Sequence, residues 1–117
     1  MSARFAELDW QQTPMGELTL RRRHDPVLGK DVFEVILGDE HLMSSHFTVA
    51  EMELAHLALA AVSGDDLDIL VGGLGLGYTA QAVLSHTKVR SLVVVEALEV
   101  IVDWHRRGLL PVSAELT

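Results

Sequence analysis

No cysteine occurs among the 117 residues of this chain. That excludes a disulfide framework, a thiol nucleophile and any Cys-ligated metal. No apolar run approaches the roughly 20 residues that a membrane span needs. The N-terminus, Met1-Ser2-Ala3-Arg4-Phe5-Ala6-Glu7, carries no apolar secretion signal. The expected location is therefore the cytoplasm, with no membrane partner. Basic residues are also scarce, nine Lys and Arg against 17 Asp and Glu, for a net charge of -8. Nonspecific nucleic-acid binding depends on neutralising phosphates with cations, so no nucleic-acid partner is expected. The six histidines form no i, i+4 ligand pair, and no metal is expected. A Gly-x-Ser-x-Gly elbow is absent, which removes the hydrolase built on that turn. Internal repeats and low-complexity segments are absent as well. What remains is a small globular chain, 49% hydrophobic and 22% charged.

Its most informative stretch is Leu67-Asp68-Ile69-Leu70-Val71-Gly72-Gly73-Leu74-Gly75-Leu76-Gly77-Tyr78-Thr79-Ala80. This pattern predicts a buried apolar strand, a glycine-rich turn and the start of a helix. A second apolar strand, Leu92-Val93-Val94-Val95, then ends on Glu96. Strand, glycine loop, helix, strand and terminal acid make up a nucleotide-binding βαβ half. Glycines let the backbone turn tightly and approach a ligand with no Cβ in the way. The spacing is not that of a dinucleotide fingerprint, because the third glycine counted from Gly73 would fall on Tyr78. Gly73-x-Gly75-x-Gly77 is instead the form typical of class I S-adenosylmethionine-dependent enzymes. That ligand carries no pyrophosphate, so the helix N-terminus need not cradle an anion.

Before residue 48 the pattern is β-like: Phe5 to Gln11, Glu17 to Arg23, Asp31 to Leu37 and a short piece at His41 to Met43. Thr13-Pro14-Met15-Gly16, His24-Asp25-Pro26 with Gly29, and Gly38-Asp39 separate these pieces as turns. An antiparallel meander over 1–47 is expected, with a partial nucleoside-binding domain over 48–117. Arg21 and Arg23 should share one strand face, with Arg22 on the other, as solvated charges. Thr48-Val49-Ala50-Glu51 reads as a capping box opening a helix that runs to about Ser63 and stops at Gly64. Met52, Ala55, Leu59 and Val62 share a face of that helix, and His56 falls among them. A second helix is expected over Tyr78 to His86. A third begins near Leu98, with Ile101, Val102, His105 and Leu109 in phase, and closes at Gly108 and Pro111. Asp65, Asp66 and Asp68 are expected in a solvated turn, and Asp103 on an exposed helix face.

The meander, the helix containing Glu51-Met52-Glu53-Leu54-Ala55-His56-Leu57, the glycine loop and Glu96 together resemble the front half of spermidine synthase-like proteins. These polyamine aminopropyltransferases join an N-terminal β-domain to a class I methyltransferase-like domain. The resemblance runs from about Leu8 to Pro111. It implies an α/β fold: an N-terminal antiparallel β-meander followed by the first βαβ unit of a Rossmann-like class I methyltransferase fold, apparently truncated. It implies that Gly72, Gly73, Gly75 and Gly77 line the nucleoside site and that Glu96 accepts hydrogen bonds from both ribose hydroxyls. His56 matches the family's histidine facing the cleft, near the aminopropyl group and the diamine. A packed histidine on an apolar face is the competing reading. The co-substrate would be S-adenosylmethionine or its decarboxylated form, and the partner a small-molecule amine.

Three departures bear on the reaction. Spermidine synthases read Gly-Gly-Gly-Asp-Gly-Gly in the loop, whereas Gly75 stands here where the acid belongs. The Tyr-Gln pair that precedes the helix histidine is replaced by Ala50 and Glu51. The family's catalytic aspartate lies far beyond the glycine motif, so the catalytic group is expected beyond Thr117. The parent reaction is read as aminopropyl transfer to an amine, with this stretch incomplete for catalysis. A methyltransferase, or a non-catalytic nucleoside-binding or dimerisation module, fits the glycine motif and Glu96 equally well. Two core strands leave open apolar edges, so a homo-oligomer or a longer parent chain is expected.

Overall fold

The computed structural model describes residues 5–116, so the first four residues of Met1–Glu7 and Thr117 lie outside the described residues. The chain divides into two compact units, Met1–Phe47 and Thr48–Thr117.

The first unit is an antiparallel meander of four strands in chain order: β1 (Phe5–Thr13), β2 (Gly16–Asp25), β3 (Lys30–Leu37) and β4 (Glu40–Ser44). Its turns follow side-chain chemistry. The Thr13 hydroxyl accepts from Met15 N at 3.2 Å and donates to Gly16 O at 2.7 Å, closing the first hairpin. Asp25 Oδ1 accepts from Val27 N and Leu28 N at 2.9 and 3.1 Å, an Asx turn that starts the second. These backbone donors, led by Leu28 N, hold the Asp25 carboxyl below its ordinary range. Leu18, Leu20, Val32 and Val35 are the fully buried side chains of the sheet. Arg21 and Arg23 do share a face, but they are half-buried and paired rather than freely solvated. Both donate through Nε to Glu34 Oε1 at 3.0 Å, because Glu34 is opposite Arg21 in the β2–β3 register. A buried carboxylate needs such partners, and here it has two.

The second unit opens with α1 (Val49–Ala60), followed by β5 (Leu67–Gly72), α2 (Tyr78–Leu84), β6 (Val89–Val95), α3 (Glu99–Arg106) and a short α4 (Ser113–Leu116). β5 and β6 pair in parallel, with Gly72 opposite Val95 at their carboxyl ends. This is the βαβ unit read from the sequence. The expected capping box does not form. Thr48 has a ψ of 4° rather than an extended backbone, and its hydroxyl turns to Met52 Sδ at 3.9 Å. Helix α1 also stops at Ala60, three residues early, where Lys88 Nζ reaches back to the carbonyls of Leu59 and Val62. A cation at a helix C-terminus satisfies carbonyls that have no partner within the helix.

Ala55 of α1 and Ala82 and Val83 of α2 form a small core, against which Met52, Ile69, Val71, Val89 and Leu92 pack. Small residues on both helices let α1 and α2 pack closely against each other. The expected buried apolar strands are covered on one face only. Leu70, Val93 and Val95 point away from these helices and are 68%, 56% and 55% exposed. Alternation along a strand sends every second side chain to the far face, and no described element of this unit covers that face. Asp68 belongs to β5 rather than to a turn, and it binds the Arg90 guanidinium and Ser91 Oγ on β6. That Arg90 hydrogen bond keeps its carboxyl below the ordinary range. Asp103 is exposed as expected and pairs with Arg107 at i, i+4. Among the described residues no helix is long and apolar enough to cross a membrane.

Candidate functional site

The glycine loop and Glu96 lie at the carboxyl ends of β5 and β6, where open α/β sheets bind ligands. Gly73, Gly75 and Gly77 all have positive φ, at 93°, 51° and 94°. The alternating spacing thus marks left-handed backbone at every second residue, which only glycine adopts without strain. Gly72 is different, because it ends β5 and has no such φ. Gly73 N donates to Val95 O at 2.7 Å and fastens the loop to the end of β6. A Cβ built on Gly73 would meet nothing within 4 Å, so that side of the loop is open.

Gly77 is confined. A Cβ there would lie 2.5 Å from Val112 Cγ2, 2.8 Å from Leu116 Cδ1 and 3.1 Å from His105 Cε1. The third glycine therefore serves close packing of the α2 N-terminus against α3 and the segment that follows. Its role here is contact with the protein's own chain.

Glu96 follows β6 and lies at the glycine loop. Its Oε1 accepts from Leu74 N at 2.9 Å and Gly75 N at 3.4 Å, and its Oε2 accepts from Leu98 N at 3.1 Å. A carboxylate has about four lone-pair positions, so acceptor capacity remains for a hydroxyl donor. The structure brings Glu96, Gly73 and Gly75 together and leaves an acceptor-rich carboxylate beside open backbone.

On the other side of the loop stands His105, 4% exposed. Its Nε2 is 2.8 Å from Gly75 O, and its Nδ1 is 3.2 Å from Ser113 Oγ, which itself accepts from Leu110 N at 3.2 Å. Only an Nε2–H can donate to a carbonyl, so the neutral Nε2–H tautomer fits and Nδ1 accepts from the Ser113 hydroxyl. Burial pushes this imidazole below its ordinary range, and the Gly75 hydrogen bond opposes that in part. The sequence pattern marked His105 only as an in-phase residue of the third helix. Its polar partners lie 30 and eight residues away, beyond what helical periodicity reads.

His56 occupies a separate place. It sits midway along α1, with Nδ1 2.7 Å from His86 Nε2 just past the end of α2. Together with Met52, Gln81, Ser85 and Glu115 it lines a cavity of about 410 Å³. That cavity includes neither Glu96 nor any glycine of the loop. Among the described residues, no group of three or more His, Asp or Glu side chains is arranged to hold a metal ion.

An α/β chain with a β-meander followed by the opening βαβ of a Rossmann-like domain, with an acid at the end of its second strand, defines the class. Two solved structures share that fold over 88% of this chain, each with a TM-score of 0.68 and 19% identity. One is a spermidine synthase in complex with the transition-state analogue AdoDATO, and the other is spermidine synthase from Thermotoga maritima. The chain is thus spermidine synthase-like in fold, and it spans about a third of the length of either structure. No sequence family and no curated protein matches it.

Proposed function

We propose that this chain binds S-adenosylmethionine or its decarboxylated form at the loop Gly72–Gly77 and Glu96, as part of a spermidine synthase-like transferase. The observation that carries the reading is Glu96, held by Leu74 N and Gly75 N at the carboxyl end of β6. Its one remaining lone-pair position, on Oε2, suits a ribose hydroxyl, and the open side of Gly73 leaves room for the nucleoside. That one fold neighbour was solved with AdoDATO supports the decarboxylated form.

The reaction proposed for the full-length protein is aminopropyl transfer. The lone pair of a neutral amine attacks the aminopropyl carbon attached to the sulfonium. The C–S bond breaks with its electrons going to sulfur, a thioether leaves, and the new ammonium gives up its proton to a base. Positioning the amine in line behind that carbon supplies much of the rate. The base itself is proposed to lie after Thr117. Asp68 is bound to Arg90 and Ser91, and Asp103 to Arg107, so neither suits that role. His56 is proposed to face the amine, in which case His56→Ala raises the amine KM more than it weakens nucleoside affinity. A fall in Tm with the amine KM unchanged would assign it to packing against His86.

A methyltransferase is the second reading, favoured by Gly75 standing where an acid would hold a cationic amine. Calorimetric titration with both co-substrates separates the two. Tighter binding of the decarboxylated form supports aminopropyl transfer. Equal or tighter binding of the intact form supports methyl transfer.

A further inference from the structure

Gly75 is held from both sides. Its N–H faces Glu96 Oε1 at 3.4 Å, and its carbonyl meets His105 Nε2 at 2.8 Å. The histidine is in turn fixed by Ser113, and Ser113 by Leu110 N. His105 and Ser113 are both almost fully buried, at 4% and 3% exposed. Two buried polar side chains in an otherwise apolar contact are costly unless their hydrogen bonds are made. Here the chain of bonds ends on Gly75, which with Leu74 touches the ribose-binding candidate.

We propose that His105, oriented by Ser113, is a positioning residue that anchors the Gly75 carbonyl and so limits the rotation of the loop that presents the Leu74 and Gly75 amides to Glu96. The inference rests on the nucleoside reading for its purpose, although the clamp itself can be read without any ligand. Glu96 needs a fixed partner to present its free lone pair in one direction. Two amides on a glycine loop provide this only if the loop cannot rotate. Glycine at positive φ offers little resistance of its own, so the restraint has to come from outside the loop. His105 supplies it by holding the carbonyl that follows the Gly75 N–H. Because Gly77 lies against His105, Val112 and Leu116, the segment carrying Ser113 also closes over the start of α2. The residues after α3 thereby act on the site without touching the ligand.

The roles of the two ring nitrogens are separable. Glutamine at 105 places an amide N–H close to the Nε2 position and lacks the ring Nδ1 that accepts from Ser113. Phenylalanine at 105 keeps the volume and loses both bonds. Alanine at 113 leaves the Gly75 bond in place and removes the donor that selects the tautomer.

The test is amide hydrogen exchange at Leu74 and Gly75, measured by NMR on the whole chain, alongside titration with 5′-methylthioadenosine. His105→Phe should speed exchange at both amides about tenfold or more, as expected for loss of one buried hydrogen bond. It should weaken nucleoside binding by a similar factor. His105→Gln should restore both to within about threefold of the parent, again on the scale of one hydrogen bond. Amides of the meander, such as those of Leu18 and Leu20, should not respond. Unchanged exchange at Leu74 and Gly75 in His105→Phe overturns the proposal, whatever the nucleoside does. If that variant does not fold, His105→Leu carries the test, because it too loses the Gly75 bond, and parent-like exchange at Leu74 and Gly75 overturns the proposal. Should the parent bind no nucleoside while the loop amides still respond to residue 105, the nucleoside reading fails and the clamp stands.

Discussion

Glu96 is the residue proposed to bind a ribose, and it also anchors the glycine loop, which was not legible in the sequence. Its register with the glycines, one residue past the β6 partner of Gly72, could be read from strand patterning alone. That it also accepts three backbone N–H groups could not, because those donors depend on the loop's path. Glu96→Ala is therefore expected to do more than remove a ribose contact. It should also lower the Tm, since hydrogen bonds to a charged group are worth about 1.5–3 kcal/mol each. Glu96→Gln keeps one acceptor oxygen and the shape, and should fold while losing nucleoside affinity by about a hundredfold or more. Titration and a melting curve on both variants check this, and unchanged affinity in Glu96→Gln would withdraw the ribose assignment. Gly77 makes the complementary point. Sequence spacing marked it as part of the ligand loop, but its neighbours are Val112, Leu116 and His105. Gly77→Ala should destabilise the second unit by about 2 kcal/mol or more, through overpacking and an unfavourable φ. A melting temperature equal to that of the parent would contradict that packing role.

At the scale of elements, the order of strands and helices was readable because hydrophobic period and turn chemistry agreed. The meander's turns at Thr13-Pro14-Met15-Gly16 and Asp25-Pro26 fall where their side chains bond their own backbone. Helix ends were less readable. Thr48-x-x-Glu51 has the letters of a capping box, yet the backbone at Thr48 is not extended, so the box is not made. The early end of α1 depends on Lys88, distant in sequence, and α4 carries too few residues for periodicity to detect. The contact between α3 and the glycine loop has a consequence for pH. The folded state depresses the His105 pKa, chiefly by burial, and both of its hydrogen-bond partners are uncharged. The unfolded chain therefore binds more protons there. Stability from this group is fully present above about pH 6.5 and is lost as pH falls through the lower folded value. Melting temperatures between about pH 5 and 8 should decline toward acid in the parent and decline less in His105→Gln. Equal slopes in the two proteins would contradict it.

The second unit of the molecule has an apolar face on its parallel strand pair, with Leu70, Val93 and Val95 more than half exposed. Sequence patterning of these strands gave continuous apolar runs, the signature of strands buried on both faces. It could not say what covers the second face. Exposed apolar side chains grouped on adjacent strands favour association. Light scattering is expected to show self-association of this chain, weakened in Leu70→Lys/Val93→Lys. A strictly monomeric parent would contradict that expectation. The central claim concerns the other end of these strands, where Glu96 and the glycine loop meet. Side-by-side calorimetric titration with S-adenosylmethionine and its decarboxylated form tests it most directly. The account predicts binding of the decarboxylated form, tighter than that of the intact one and abolished in Glu96→Gln. Binding of either form that survives Glu96→Gln unchanged would contradict it.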